Sequence, residues 1–213
     1  MARSYVQHAR AEAAAATQRR IIEAARSVLT SGEVPRLEIG EVAERAGIAR
    51  STVYLSFGTR SAFLTRILDD SLSRAGFGRL REYLAIPDAV EAMDKSLAQA
   101  AVMYSAEHAV LRRMLLLAQL DPEAAQDHQQ RQRRRAAAMR NLAQRLGDQG
   151  TLRADVSAEA AAAALWVLTS FETFDQLFSG WGLDAAECGA RITAIARSSL
   201  LQHPSRQDRN PTA

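Results

Sequence analysis

Stretches without a helix breaker run through most of this sequence. None of the first 31 residues is glycine or proline, and between Gly78 and Gly147 only Pro87 and Pro122 intervene. Alanine supplies about a fifth of the 213 residues, and alanine is the strongest helix former. With so few turn residues the chain cannot supply the tight connections that hairpins and sheets need, so an all-α fold is predicted. Hydrophobic residues at 47% against 24% charged give material for a buried core. Cys188 is the only cysteine, which excludes an intrachain disulfide framework and any multi-cysteine metal centre and suits a reducing cytoplasm. The longest apolar run, residues 160–168, is about half the length a bilayer span requires. The first twenty residues carry four arginines and a glutamate with no apolar stretch, so no signal peptide and no membrane partner are expected, and the location expected is cytoplasmic.

Apolar periodicity divides the chain. Residues 1–16 are polar and alanine-rich without a clear face and read as a flexible arm. Ile21, Ile22, Ala25, Val28 and Leu29 form one stripe of a helix that begins near Thr17 and is ended by Gly32 and Pro35. Short helices follow over about 39–46 and 50–57, and a fourth over 61–73. Beyond residue 75 the helices lengthen, over about 79–85, 87–104, 106–120, 121–147, 157–178 and 184–201, with Asp121, Ser157 and Asp184 as N-caps. The reading is about nine helices in all: residues 17–60 as a three-helix unit, 61–201 as a larger helical domain and 202–213 as a disordered tail. Residues 150–156 read as a loop, and no strand is predicted.

The segment with the most specific pattern is residues 39–58, IGEVAERAGIARSTVYLSFG. A helix-turn-helix needs a small residue where its helices cross, which is Ala43. Four residues on it needs a backbone tolerant of positive φ, which is Gly47. Six further on it needs an apolar residue to seat the second helix, which is Val53. The outer face of that helix then offers Arg50, Ser51, Thr52, Leu55 and Ser56 to a DNA groove. Charge agrees: the whole net charge of +3 falls within residues 1–60, which hold nine arginines and six glutamates, and the remainder is neutral.

Residues 17–68, with RIIEAA in the first helix, VAERAGIARSTVY, Phe57 and the stretch Thr59–Leu64, resemble the DNA-binding domain of the TetR family of transcriptional regulators. The family pattern of threonine, aliphatic, tyrosine, two variable residues, phenylalanine and a basic residue three positions on is matched by Thr52, Val53, Tyr54, Phe57 and Arg60. The GTLRADV stretch at 150–156 resembles the loop before the eighth helix of that family. The chain departs from the pattern at Glu38, Ala49, Leu55, Ser56 and Arg60, where threonine, serine, histidine or tyrosine, and lysine are usual. The resemblance implies that Thr52, Tyr54 and Arg60 contact phosphates while Arg50, Ser51 and Leu55 face base edges.

In the larger part, Leu165, Trp166, Val167, Leu168, Phe171, Phe174, Leu177 and Phe178 cover most of one helix's circumference. Such a helix is buried on two sides, one against its own core and one against a second subunit. The last helix carries Ile192 and Ile195 among small residues. Phe174, Phe178, Ile192 and Ile195 are therefore candidate contacts of a homodimer, and the resemblance implies a four-helix interface from the same two helices. Phe77, Tyr83, Met93, Met103, Tyr104, Met114, Trp166 and Phe171 suit the lining of a cavity for an apolar ligand and equally suit a dry core.

These readings lead to a ligand-responsive transcriptional regulator, a repressor that binds a palindromic double-stranded operator as a homodimer and is released by a small apolar effector. A helical DNA-binding protein without effector, or a helical enzyme, are the alternatives. GxSxG, P-loop, HExxH and GxGxxG patterns are missing, and His8, His108, His128 and His203 show no ligand spacing. No catalytic residue, metal site or cofactor is expected.

Overall fold

The computed structural model describes residues 2–31 and 36–202. Gly32 and Pro35, predicted to end the first helix, and the tail beyond residue 202 lie outside the described residues. The chain folds into α1 (Ala2–Thr30), α2 (Ile39–Arg45), α3 (Arg50–Phe57), α4 (Arg60–Arg74), α5 (Phe77–Leu84), α6 (Ala89–Ala106), α7 (His108–Leu120), α8 (Pro122–Asp148), α9 (Ala158–Leu168), α10 (Phe171–Asp175) and α11 (Ala185–Leu200). The fold is all-α, and among the described residues the one extended pairing is an antiparallel bridge between Leu152 and Leu201.

Two differences from the predicted elements have local causes. Residues 2–16, read as an arm, form the first half of α1; an alanine-rich run needs no apolar face to be helical. The helix predicted over 157–178 is broken at Thr169 and Ser170. The Thr169 hydroxyl donates to the Leu165 carbonyl at 2.7 Å, and the Ser170 hydroxyl accepts from the Thr173 N–H at 3.0 Å, capping α10. The Ser170 hydroxyl thus takes up an N–H at the break, and the Thr173 hydroxyl donates to the Val167 carbonyl at 2.8 Å. A π-helical turn, Gln176–Gly180, continues α10.

The helices form two compact units. The first comprises α1 to α4, α7 and α8 through Arg131. Its core is built from Ile21, Ala25, Val28 and Leu29 of α1, Val42 and Ala43 of α2, Val53 of α3, Phe63, Leu64 and Ile67 of α4, and Met114 and Leu117 of α7. Fully burying an aliphatic side chain of this size contributes about 1.5–3 kcal/mol. Polar contacts fix the register of α4 on its neighbours: Thr65 donates to Asp127 at 2.8 Å, and Arg131 pairs with both Asp127 and Asp69.

The second unit comprises α5, α6, the remainder of α8, and α9 to α11. Met93, Leu97, Leu142, Leu146, Leu165 and Ile192 fill its core. At the α6–α11 contact a Cβ on Gly189 would lie 3.3 Å from the Ala98 Cα, so the absence of a side chain there sets how closely the helices approach. Helix starts match their sequence signals: Ser157 accepts from the Ala160 N–H, and Asp184 forms a reciprocal capping box with Glu187.

Candidate nucleic-acid interface

The α2–α3 hairpin is built as its spacing predicts. α2 ends at Ala46, and Gly47 turns the chain with φ +63°. The Gly47 and Ile48 N–H groups then donate to the carbonyls of Glu44 (2.9 Å) and Ala43 (3.0 Å). These bonds satisfy carbonyls that a helix C-terminus otherwise leaves open. Ala43, Ala46 and Val53 are buried at the crossing of the helices, with Val53 only 1% exposed. α3 starts at Ala49, which supplies no side-chain cap.

Seating Val53 inward determines what α3 shows outward. Arg50, Ser51, Tyr54 and Leu55, at i, i+1, i+4 and i+5, are exposed on one face. Leu55 is 86% exposed, an apolar side chain that nothing within the chain rewards for standing in water. Thr52 and Ser56 are half-buried; the Ser56 hydroxyl donates back to the Thr52 carbonyl at 2.8 Å, and Gln18 of α1 donates to the Ser56 carbonyl at 3.1 Å. Gln18 therefore anchors the end of α3, a role that no periodicity signals.

Arg60 opens α4 two residues beyond Gly58, the C-cap of α3. Its guanidinium donates to Asp121 through both terminal nitrogens, at 3.0 and 2.5 Å, and Glu123 lies 3.9 Å away. The hydrogen bond to Asp121 holds Arg60 above its ordinary pKa and, with donation from the Glu123 and Ala124 N–H groups, holds Asp121 below the usual carboxylate range. Asp121 caps α8, as its sequence position predicts, but sixty-one residues separate it from Arg60, so only the fold reveals the pair.

The residues singled out in the second unit are dispersed. Tyr104 meets Phe171 edge-on at 5.5 Å and Phe174 at 5.7 Å, and its hydroxyl donates to the Thr169 carbonyl at 2.8 Å. Desolvation pushes the Tyr104 phenol up to about 12. Trp166 lies beneath the Arg135 guanidinium at 5.0 Å, and Arg135 also donates to the Thr169 hydroxyl at 2.8 Å; burial lowers the Arg135 pKa. Met93 and Met103 are buried, Phe77 is exposed and Tyr83 faces Lys95. Met114 belongs to the core of the first unit. Tyr104, Phe171 and Trp166 thus lie about Thr169. Of the dimer candidates, Phe174 is fully buried and Ile192 nearly so within the chain, Phe178 is half-buried, and Ile195 is 49% exposed. Among the described residues no group of three His, Cys, Asp or Glu is placed to hold a metal, and no helix is long and apolar enough to cross a membrane.

Residues 21–67 match the family model described as bacterial regulatory proteins, tetR family. They belong to the TetR family. Solved structures extend the likeness in fold to most of the chain. NalD of Pseudomonas aeruginosa, the secondary repressor of the MexAB-OprM multidrug efflux pump, superimposes with a TM-score of 0.71 at 19% identity, covering 90% of this chain and 98% of its own. SmeT, the repressor of the Stenotrophomonas maltophilia efflux pump SmeDEF, gives 0.67 at 17% identity, covering 87% and 90%. A regulator from Saccharomonospora viridis in complex with choline gives 0.66 at 18% identity, covering 89% and 100%. No curated protein matches the sequence.

The TetR-family match begins at Ile21 and ends at Ile67, both fully buried core residues of the first unit. It covers the exposed face of α3 and also Arg60. Gln18 and Asp121 fall outside it.

Proposed function

We propose that this protein is a ligand-responsive transcriptional repressor that binds a palindromic operator as a homodimer. The observation that carries the reading is the face of α3: a cation, two hydroxyls and an apolar tip, held outward by a buried Val53 in a TetR-family domain. A guanidinium at Arg50 suits the O6 and N7 edge of guanine, Leu55 suits a thymine methyl, and Tyr54 suits a phosphate oxygen.

Dimerisation through α9 and α11 is supported by what they leave exposed. Ala160, Ala163 and Val167 line one side of α9, and Ala194 and Ile195 stand outward on α11. Small and branched apolar side chains of this kind let helices from two copies approach closely. Phe174 and Ile192, already covered by their own chain, support the interface from behind. A two-fold dimer reads half-sites about one helical turn apart.

Release by a small apolar effector is supported by the aromatic cluster of Tyr104, Phe171 and Phe174 and by two structural relatives named as efflux-pump repressors; a third relative holds choline, a small organic cation. For release, the effector must prefer the conformation that does not bind DNA. A hundredfold preference is worth about 2.7 kcal/mol per site, and the operator then weakens the effector by the same factor.

The test is selection of duplexes from a random library by the purified protein. An enriched palindrome is expected, with affinity that falls steeply as salt rises. Enrichment of no sequence overturns the reading. Apolar and amphipathic compounds that change tryptophan fluorescence should then lower affinity for the enriched duplex; hits that leave it unchanged overturn the effector and leave DNA binding standing.

A further inference from the structure

The pairing of Arg60 with Asp121 places a carboxylate where a DNA phosphate would be read. A guanidinium offers one fork of parallel donors, and carboxylate and phosphate compete for the same fork. Both terminal nitrogens of Arg60 are given to Asp121. Arg60 follows the C-cap of the reading helix by two residues, so this cation lies beside the track that phosphates follow when α3 enters a groove, and Glu123 adds a second negative charge within 3.9 Å.

The pair is also cheap to open. Asp121 keeps the N–H groups of Glu123 and Ala124, at 3.0 and 3.1 Å, when Arg60 leaves. Arg60 and Asp121 side chains are 25% and 19% exposed, so water reaches both. A pair whose purpose is to hold the fold together leaves a buried, unmatched charge when broken; this one does not. Asp121 also opens α8, whose residues from Gln132 onward belong to the other unit.

We infer that Asp121 is an internal phosphate mimic that occupies Arg60 in the DNA-free protein and lowers its affinity for the operator. The inference rests on the DNA-binding reading above. Opening the pair is part of binding: Arg60 exchanges a fixed carboxylate for a phosphate, and whatever holds Asp121 at the start of α8 in place tightens the restraint.

The experiment uses the full chain, the duplexes that the wild type enriches, and Asp121→Asn. Asparagine caps a helix as well as aspartate does, so α8 keeps its start while the competing charge is gone. The expected result is affinity raised by about fivefold or more, with the slope of log affinity against log salt little changed, because Arg60 meets the same phosphate in both complexes. Arg60→Gln should make that slope shallower by about one and abolish the gain, so that Asp121→Asn has no effect in that background. Unchanged or weaker binding by Asp121→Asn overturns the inference while the wild type's own binding leaves the functional reading intact. A gain that persists with Arg60→Gln also overturns it, because the effect is then one of net charge. Failure of the wild type to enrich any duplex overturns both.

Discussion

Arg26 of α1 grips Glu107, the residue before α7, through both guanidinium nitrogens at 2.5 and 3.0 Å, and it also donates to Ser71 of α4. Three helices of the DNA-binding unit are thereby held at one buried point, with the Glu107 side chain 8% exposed.

Removing one half of that point should cost more than removing both. Glu107→Ala leaves the Arg26 guanidinium with the more distant, exposed Glu23 carboxylate at 3.9 Å as a weaker partner and is expected to lower stability by about 3 kcal/mol. Replacing the pair together, Arg26→Met with Glu107→Leu, should cost far less, because neither charge then needs compensation. Urea denaturation of the two singles and the double gives the comparison. Equal losses for Glu107→Ala and the double variant would show that packing, not charge, governs the site.

The turn of the hairpin allows a cleaner test of backbone cost. Gly47 has φ +63°, and an added Cβ would meet nothing within 4 Å. Any penalty for Gly47→Ala is therefore conformational and should be about 1–2 kcal/mol. Gly47→Asn should cost less, since asparagine tolerates this region better. Thermal melts of the two variants decide it; an equal loss for both would point to a missing contact in place of strain.

What the sequence makes legible depends on the range of the interaction. Ala43, Gly47 and Val53 act within one hairpin, and their spacing places the turn and the crossing; of the five residues it assigns to the outward face of α3, Arg50, Ser51 and Leu55 are exposed, whereas Thr52 and Ser56 are half-buried. Asp121 was identified as a helix cap for the same reason. Its grip on Arg60 spans sixty-one residues, and that of Glu107 on Arg26 spans eighty-one, so neither leaves a periodic trace. Apolar periodicity continues straight through the break at Thr169, where the hydroxyls of Ser170 and Thr173 bond the backbone. Double-sided apolar character reports burial but not which partner does the burying: Phe174 is covered by its own chain, whereas Trp166, Val167 and Ile195 are exposed.

That distinction makes a prediction about assembly. Ile195→Arg and Val167→Arg place charge on exposed positions, 49% and 52% accessible, and should yield folded monomers. Phe174→Arg puts a charge into a fully buried site and should fail to fold, since an uncompensated buried charge costs several kcal/mol. Light scattering together with circular dichroism separates the outcomes. Dimers that survive both outward substitutions would remove α9 and α11 from the interface.

The aromatic cluster predicts a loss of stability at alkaline pH. Desolvation raises the Tyr104 phenol from 10.0 to about 12, so between those values the unfolded chain has released a proton that the folded chain retains. The folded state is then disfavoured as pH rises, and the contribution is fully present below pH 10 and lost through about pH 12. Two pH units amount to about 2.7 kcal/mol. Tyr104→Phe keeps the ring and loses the 2.8 Å hydrogen bond to the Thr169 carbonyl, a cost of about 1 kcal/mol. At pH 8 the variant should be the less stable protein. Above pH 10 the gap should close, and near pH 12 the order should reverse. Burial also raises the Cys188 thiol, but that group is common to both proteins and cancels in the difference. Urea midpoints measured for the pair from pH 8 to 12 test this, and a difference that stays constant across the range would mean that the phenol is not desolvated in the folded state.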